Sequence, residues 1–169
     1  MLESLIISNQ LYNLVGDIGG TNARFALVVP GKSELISIKT LQCIKFETVQ
    51  EAIRSYLSSI GDIEIGSACI ASAGTTHLDI FKPANNDWVI NKRNVSSALN
   101  DIQVNWINDF SAQALATTTL KDNDVIVINQ GAIQPERVRL VIGPGTGLGT
   151  CGLFNSSCGW IPLPAQGGH

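Results

Sequence analysis

The chain has 169 residues, of which 44% are hydrophobic and 15% charged, so it can bury a sizeable core and is too apolar for a disordered protein. Its formal net charge of −3 argues against binding to nucleic acid or to an anionic membrane. No apolar run reaches membrane-spanning length and the first residues lack a signal-peptide pattern, so we expect a cytoplasmic protein with reduced cysteines.

The first predicted element is a strand, a tight turn and a second strand over residues 14–29. Asp17-Ile-Gly-Gly-Thr-Asn22 occupies the turn, where adjacent glycines offer permissive φ angles and no Cβ atoms to block a ligand. Backbone N–H groups at such a turn can bind an anion, and a carboxylate beside a phosphate needs a cation between them. Asp17 therefore suggests Mg²⁺ held through water. The alternative is an ordinary hairpin in which Asp17 and Asn22 only cap the turn.

The rest of the chain alternates between strand and helix patterns. In order, we expect a strand at 35–38, a helix from the capping box at Thr48 to Gly61, a buried central strand at 65–73, paired segments at 77–81 and 88–90, a helix at 92–99, a strand at 104–107, a helix through 111–116, strands at 125–128, 137–142 and 150–154, and a Pro- and Gly-rich tail. This order predicts an α/β fold with a mixed sheet, whose first three strands form an antiparallel meander and whose faces are covered by helices.

Two later stretches also combine polar groups with unusual backbone freedom. Asn108-Asp109 joins a buried strand to a helix, and ligand sites in α/β folds favour the carboxyl ends of strands. The alternative is that Asp109 only caps the helix. Gly143-Pro-Gly-Thr-Gly-Leu-Gly149 fails the dinucleotide fingerprint and precedes a strand, so it suits a second phosphate-facing turn or a hairpin without chemistry.

The three stretches are more informative together than alone. Two backbone cradles for a polyphosphate and one carboxylate at a strand end match the requirements of phosphoryl transfer. In such a reaction a metal and N–H groups stabilise the phosphate charge, while the carboxylate positions and deprotonates the acceptor hydroxyl.

These segments, together with their flanking residues, resemble the signature segments of bacterial glucokinases. That family belongs to the sugar-kinase, actin and heat-shock-chaperone ATPase superfamily, with a ribonuclease H-like fold. The cysteine-rich zinc motif of repressor and open-reading-frame sugar kinases is absent from the sequence, which favours the plain glucokinase branch. The resemblance implies ATP-dependent phosphorylation of glucose at its 6-hydroxyl.

The resemblance also implies a role for each matching position. Asp109 is the implied general base, and Asp17 is the residue nearest Mg²⁺. The implied ATP-phosphate residues are Gly16, Asp17, Ile18, Gly19, Gly20, Thr21, Gly145, Thr146 and Gly147, and the implied sugar-binding residues are Asn85, Asn108, Asp109, Gln166 and His169.

Two departures from the family pattern limit these implications. Gln166 stands where the family has a glutamate, so sugar binding is expected to be weaker or to favour another hexose. The family chains are about twice as long, so residues 1–169 are expected to be an N-terminal domain with the start of a second lobe. We expect this part alone to be inactive and the complete protein to form a homodimer. The alternatives are a kinase for another hexose and a non-catalytic sugar-binding module.

Overall fold

The computed structural model describes residues 10–132, 134, 136–144 and 147–166, and the chain divides between Ile107 and Asn108 into two compact units. None of the helices in these ranges is long and apolar enough to cross a membrane. In chain order the elements are β1 (Leu11–Ile18), β2 (Asn22–Val28), β3 (Leu35–Gln42), α1 (Val49–Ser58), β4 (Glu64–Ser72), β5 (Ile80–Phe81), β6 (Ile90–Asn91), α2 (Lys92–Ala98), β7 (Gln103–Asn108), α3 (Asp109–Ala116), β8 (Arg139–Pro144), β9 (Leu148–Ser156) and β10 (Gly159–Gln166).

A five-stranded mixed sheet organises the first unit, with strand order β3-β2-β1-β4-β7. The strands β1, β2 and β3 form an antiparallel meander, while β4 runs parallel to β1. The prediction of a mixed sheet with a three-stranded meander is therefore confirmed. The two-residue strands β5 and β6 pair with each other, as expected for the excursion after the central strand.

The helix α1 covers the meander because its apolar residues recur on one face. Thr48 is its N-cap, and the Thr48 hydroxyl accepts a hydrogen bond from the Glu51 N–H at 3.2 Å. The Phe25 and Tyr56 rings lie 5.4 Å apart, which places α1 against β2. The side chains of Ile53 and Tyr56 are fully buried in this core.

A three-stranded antiparallel sheet with order β10-β9-β8 forms the second unit, and α3 packs on one of its faces. The core of this unit contains Ala114, Cys151 and Leu153, all fully buried. Arg139 fixes the end of α3, because its guanidinium donates to the Thr117 carbonyl at 2.8 Å and lies 4.4 Å from the Trp160 ring centroid.

The expected strand at residues 125–128 is wrong. This segment follows a short 3-10 turn and has no regular structure, and the side chains of Ile126 and Ile128 are 91% and 97% exposed. Strand propensity describes how a side chain fits a half-buried pleated surface, and no strand of the described residues pairs with this segment.

The Pro- and Gly-rich tail contains a strand for which no prediction was made, because β10 pairs with β9 along its whole length. Pro162 and Pro164 lie within β10, which is an edge strand of its sheet in the part of the chain that the structure describes. Prolines are tolerated there because their nitrogens, which carry no hydrogen, can face away from the neighbouring strand.

Replacing Tyr56 by phenylalanine should destabilise the protein by about 1 kcal/mol at pH 8, because the Tyr56 hydroxyl donates to the Ser37 carbonyl at 3.0 Å. Ser37 has a φ of 53°, an unfavourable value that this bond helps to hold. Urea unfolding of wild type and Tyr56→Phe measures the difference.

Raising the pH should reduce the difference in the free energy of unfolding between wild type and Tyr56→Phe. Burial raises the pKa of the Tyr56 phenol, so only the unfolded chain ionises it just above about pH 10. As the pH rises above about 10, wild type loses the stabilisation that the Tyr56 hydroxyl contributes. Tyr56→Phe lacks this hydroxyl, so its stability does not change for this reason. A stability difference between the two proteins that stays constant from pH 8 to pH 11 would contradict the burial of the Tyr56 hydroxyl.

Candidate functional site

The turn between β1 and β2 is closed by a hydrogen bond from the Gly19 N–H to the Asn22 carbonyl at 3.0 Å. Neither Gly19 nor Gly20 has a positive φ, so the expected need for permissive φ angles at this turn is wrong. Space is the reason at Gly20, where a Cβ atom would lie 2.6 Å from the Asn85 carbonyl oxygen. The glycine lets another loop of the same unit approach the turn at backbone distance.

Two other members of the first motif serve the core. A Cβ atom at Gly16 would lie 3.1 Å from the ring of Phe25, its cross-strand partner. The side chain of Ile18 is buried and belongs to the core of the first unit. Any contact of Ile18 with a ligand would therefore come from its backbone.

Asp17 makes an ion pair across the hairpin, with one carboxylate oxygen 3.0 Å from the Arg24 guanidinium. Both side chains are about half exposed, so the pair contributes at most about 1 kcal/mol. Among the described residues there is no group of three or more side chains able to hold a metal ion. A single carboxylate still fits Mg²⁺, which keeps several waters and binds through one or two carboxylates plus substrate phosphates.

A pocket of about 350 Å³ lies beside this turn within the first unit. Its wall combines hydroxyl, amide and carboxylate groups with aromatic rings. The lining residues are Gly20, Thr21, Cys43, Ile44, Phe46, Glu47, Asn85, Asn86, Asp87 and Trp88.

Asn86 holds the pocket together, and the sequence interpretation missed it in favour of Asn85. The buried Asn86 amide donates to the Gly19 carbonyl at 2.9 Å, and its oxygen accepts from the Trp88 N–H at 2.9 Å. Asn85 is exposed and has a φ of 57°, which asparagine tolerates better than most residues. Two adjacent asparagines, one in a left-handed turn and one turned inward, are the signal that could have found this arrangement.

Cys43 lies against this turn. Its N–H donates to the Thr21 carbonyl at 2.9 Å, and its Sγ lies 3.8 Å from the Gly19 carbonyl. Burial raises the pKa of the Cys43 thiol, which keeps it protonated and unreactive. The cysteines of the described residues are all free, as expected, although Cys69 and Cys158 are exposed.

The junction of β7 and α3 presents the second group of predicted site residues. Asn108 is the N-cap, because its oxygen accepts from the N–H groups of Phe110 at 3.0 Å and Ser111 at 3.2 Å. One oxygen of Asp109, Oδ1, accepts from the Asn108 amide at 3.0 Å and the Phe110 N–H at 2.9 Å. The other, Oδ2, has no hydrogen-bond partner among the described residues. The N-cap is therefore Asn108, and Asp109 also accepts a hydrogen bond from the first turn of α3.

The glycine-rich turn joins β8 to β9, and Gly143 pairs with Gly149 across the hairpin. Gly145 and Thr146 lie outside the described residues, while Gly147 has open space where a Cβ atom would be. The backbone of Gln166 pairs with Gly149 in the same sheet. His169 also lies outside the described residues.

The first unit thus brings Gly20, Thr21 and Asn85 to one pocket, and the second unit brings Asn108 and Asp109 into one polar cluster. The geometry of Asn108 and Asp109 is set by the hydrogen bonds that cap the start of α3. The geometry of the pocket is set by the close approach at Gly20 and by the buried amide of Asn86.

Replacing Gly20 by alanine should destabilise the protein by about 1–3 kcal/mol, because the new Cβ atom would collide with the Asn85 backbone. Gly19→Ala is the matched control, since its Cβ atom would meet its nearest neighbour at 3.4 Å. Urea unfolding compares the two variants, and equal stability of both would contradict the close approach.

Comparison with known proteins supplies the family. A family model described as Glucokinase matches residues 14–169. The glucokinase of Chromohalobacter salexigens is 45% identical over 156 residues, covering 92% of this chain and 49% of the relative. The glucokinase of Hahella chejuensis is 42% identical over 163 residues, covering 96% of this chain and 51% of the relative. The chain therefore spans about half the length of these curated relatives.

Solved structures agree with this result. The crystal structure of a glucokinase from an Antarctic psychrotroph superposes with a TM-score of 0.83 at 34% identity, covering 94% of this chain and 51% of that one. A ROK hexokinase from Thermus thermophilus superposes at 0.62 with 19% identity, over 88% of this chain and 50% of that one, which shows a shared fold alone. The chain belongs to the glucokinase family and has its ribonuclease H-like, actin-like ATPase fold.

Proposed function

We propose that the complete protein is an ATP-dependent glucokinase that transfers the γ-phosphoryl group of ATP to the 6-hydroxyl of D-glucose. The observation that carries the proposal is the Asp109 carboxylate, with one oxygen held by two donors and the other free of partners among the described residues. Membership of the glucokinase family supports the same activity. Residues 1–169 would be its N-terminal domain and the start of a second lobe, inactive without the rest.

Asp109 would act as the general base. Its Oδ1 is fixed by the Asn108 amide and the Phe110 N–H, so its Oδ2 has a defined direction in which to receive the sugar hydroxyl. A carboxylate is a weak base at neutral pH, but a loose transition state lets the proton leave late. Asp109 would then contribute by orienting the hydroxyl and accepting its proton.

The hairpin turn of the first unit would bind phosphate oxygens of ATP. The Gly19 N–H is occupied within the turn, whereas those of Gly20 and Thr21 have no hydrogen-bond partner among the described residues. These two N–H groups and the Thr21 hydroxyl are the donors that we assign to phosphate, with Gly145, Thr146 and Gly147 as the second set. Asp17 would hold Mg²⁺ through water, and the bound ion would shield the carboxylate from the phosphates.

The sugar would be held by Asn85, Asn108, Asp109, Gln166 and His169. Asn108 has both halves of its amide engaged, so it would act mainly by keeping Asp109 in position. A cytoplasmic location, a role in glycolysis and assembly as a homodimer belong to the same proposal.

Replacing Asp109 by alanine in the complete protein should lower kcat at least about 100-fold, because both orientation and proton acceptance are lost. Glucose binding should stay measurable by calorimetry. Asp62→Ala is the matched control, since Asp62 is an exposed aspartate remote in sequence from the motifs. Near wild-type turnover of Asp109→Ala would contradict the assignment, and binding of glucose without turnover by wild type would favour a non-catalytic module.

The second candidate is a kinase for another hexose, which Gln166 favours because a neutral amide accepts sugar hydroxyls more weakly than a carboxylate. In the complete protein, Gln166→Glu should lower KM for glucose about tenfold. Assays with glucose, mannose and fructose compare wild type with the variant. A wild-type preference for mannose or fructose, reversed in Gln166→Glu, would establish the second candidate.

A further inference from the structure

We propose that Phe110 is a positioning residue. Its ring packs against Gly143 and Gly149, and this packing fixes the direction of the Asp109 carboxylate. The inference rests on the proposed function, since it concerns the base of that reaction. It assigns the two outer glycines of the glycine-rich segment a role in holding the chain's own aromatic ring.

The Phe110 ring can pack against the sheet only because both positions beneath it are glycines. Gly143 and Gly149 lie directly opposite each other on β8 and β9. A Cβ atom at Gly143 would lie 2.6 Å from Phe110 Cζ, and one at Gly149 would overlap the ring. Any other residue at Gly149 would therefore displace the ring from the sheet.

The backbone of Phe110 connects the packing of its ring to the Asp109 carboxylate. Its N–H donates to Asp109 Oδ1 at 2.9 Å and to Asn108 Oδ1 at 3.0 Å. The residue whose ring lies on the glycines therefore also holds the oxygen that orients Asp109. A shift of the ring would move this N–H and turn the free oxygen, Oδ2, away from its position.

The far end of α3 prevents the helix from following such a shift. Arg139 on β8 donates to the Thr117 carbonyl and stacks on Trp160 of β10. Between the two ends, Ala114 is buried against Cys151 and Leu153 of β9. The helix is thus attached to one sheet at its start, its middle and its end, so a displaced ring must distort the first turn.

Alanine at Gly149 tests the proposal in the complete protein. We expect kcat to fall about 10- to 100-fold, because an error of about 1 Å in a reacting group has that effect. The KM for ATP should stay close to wild type, whereas the Tm should fall because the new methyl group overlaps the ring. Gly152→Ala, on the same strand, is the matched control, because its Cβ atom would meet its nearest neighbour at 3.7 Å and turnover should be unchanged.

A double variant separates positioning from general damage to the sheet. Removing the ring makes room for the new methyl group, so Gly149→Ala combined with Phe110→Ala should have the kcat of Phe110→Ala alone. Additive losses of kcat, or a KM for ATP that rises together with the loss of kcat, would show a merely structural role and overturn the proposal.

Phe110→Leu covers the case in which Gly149→Ala fails to fold. It keeps an apolar side chain but does not fill the space above Gly143 and Gly149, and kcat should fall while the KM for ATP stays close to wild type. Wild-type kcat in Phe110→Leu, or in a folded Gly149→Ala, would overturn the proposal while the kinase assignment stands. Absence of hexose phosphorylation by wild type would instead remove the proposed function, and the inference with it.

Discussion

Close approach at glycine is the constraint on which the local structure of both units depends. In the first unit the Asn85 backbone comes so near Gly20 that a Cβ atom would lie 2.6 Å from its carbonyl oxygen. In the second unit the Phe110 ring lies on Gly143 and Gly149. In both places a missing side chain lets one segment rest directly on the backbone of another, with little room for adjustment.

This constraint changes how the glycine-rich motifs are understood. Glycines in such motifs are commonly explained by ligand approach, and here several of them first admit the chain's own groups: Gly16 admits the ring of Phe25, and Gly20 admits the Asn85 backbone. In the first turn, the N–H groups of Gly20 and Thr21 have no hydrogen-bond partner among the described residues, whereas that of Gly19 is bonded within the turn. The charge of Asp17 is already balanced by Arg24, which lies opposite it in the strand register.

The parts of the fold that could be predicted from the sequence are those set by local chemistry. Thr48 and Glu51 marked the start of α1, and alternation on either side of Gly19 and Gly20 marked the first hairpin. Residues 125–128 could not be predicted, because strand propensity does not say whether a partner exists. The site followed the same rule: Asn108 and Asp109 were found at a strand end, whereas Asn86 reaches the turn through a hydrogen bond to Gly19, which is distant in sequence and which no local pattern reports.

The two prolines of β10 have a consequence for how this unit meets other chains. An edge strand normally offers a row of N–H and C=O groups to which a foreign strand can add. Pro162 and Pro164 are two residues apart, so they remove donors from the same side of the strand. An incoming strand would face carbonyl oxygens there without the matching N–H groups. The side of β10 that no other described strand covers is therefore protected against strand-to-strand aggregation by the composition of the strand itself.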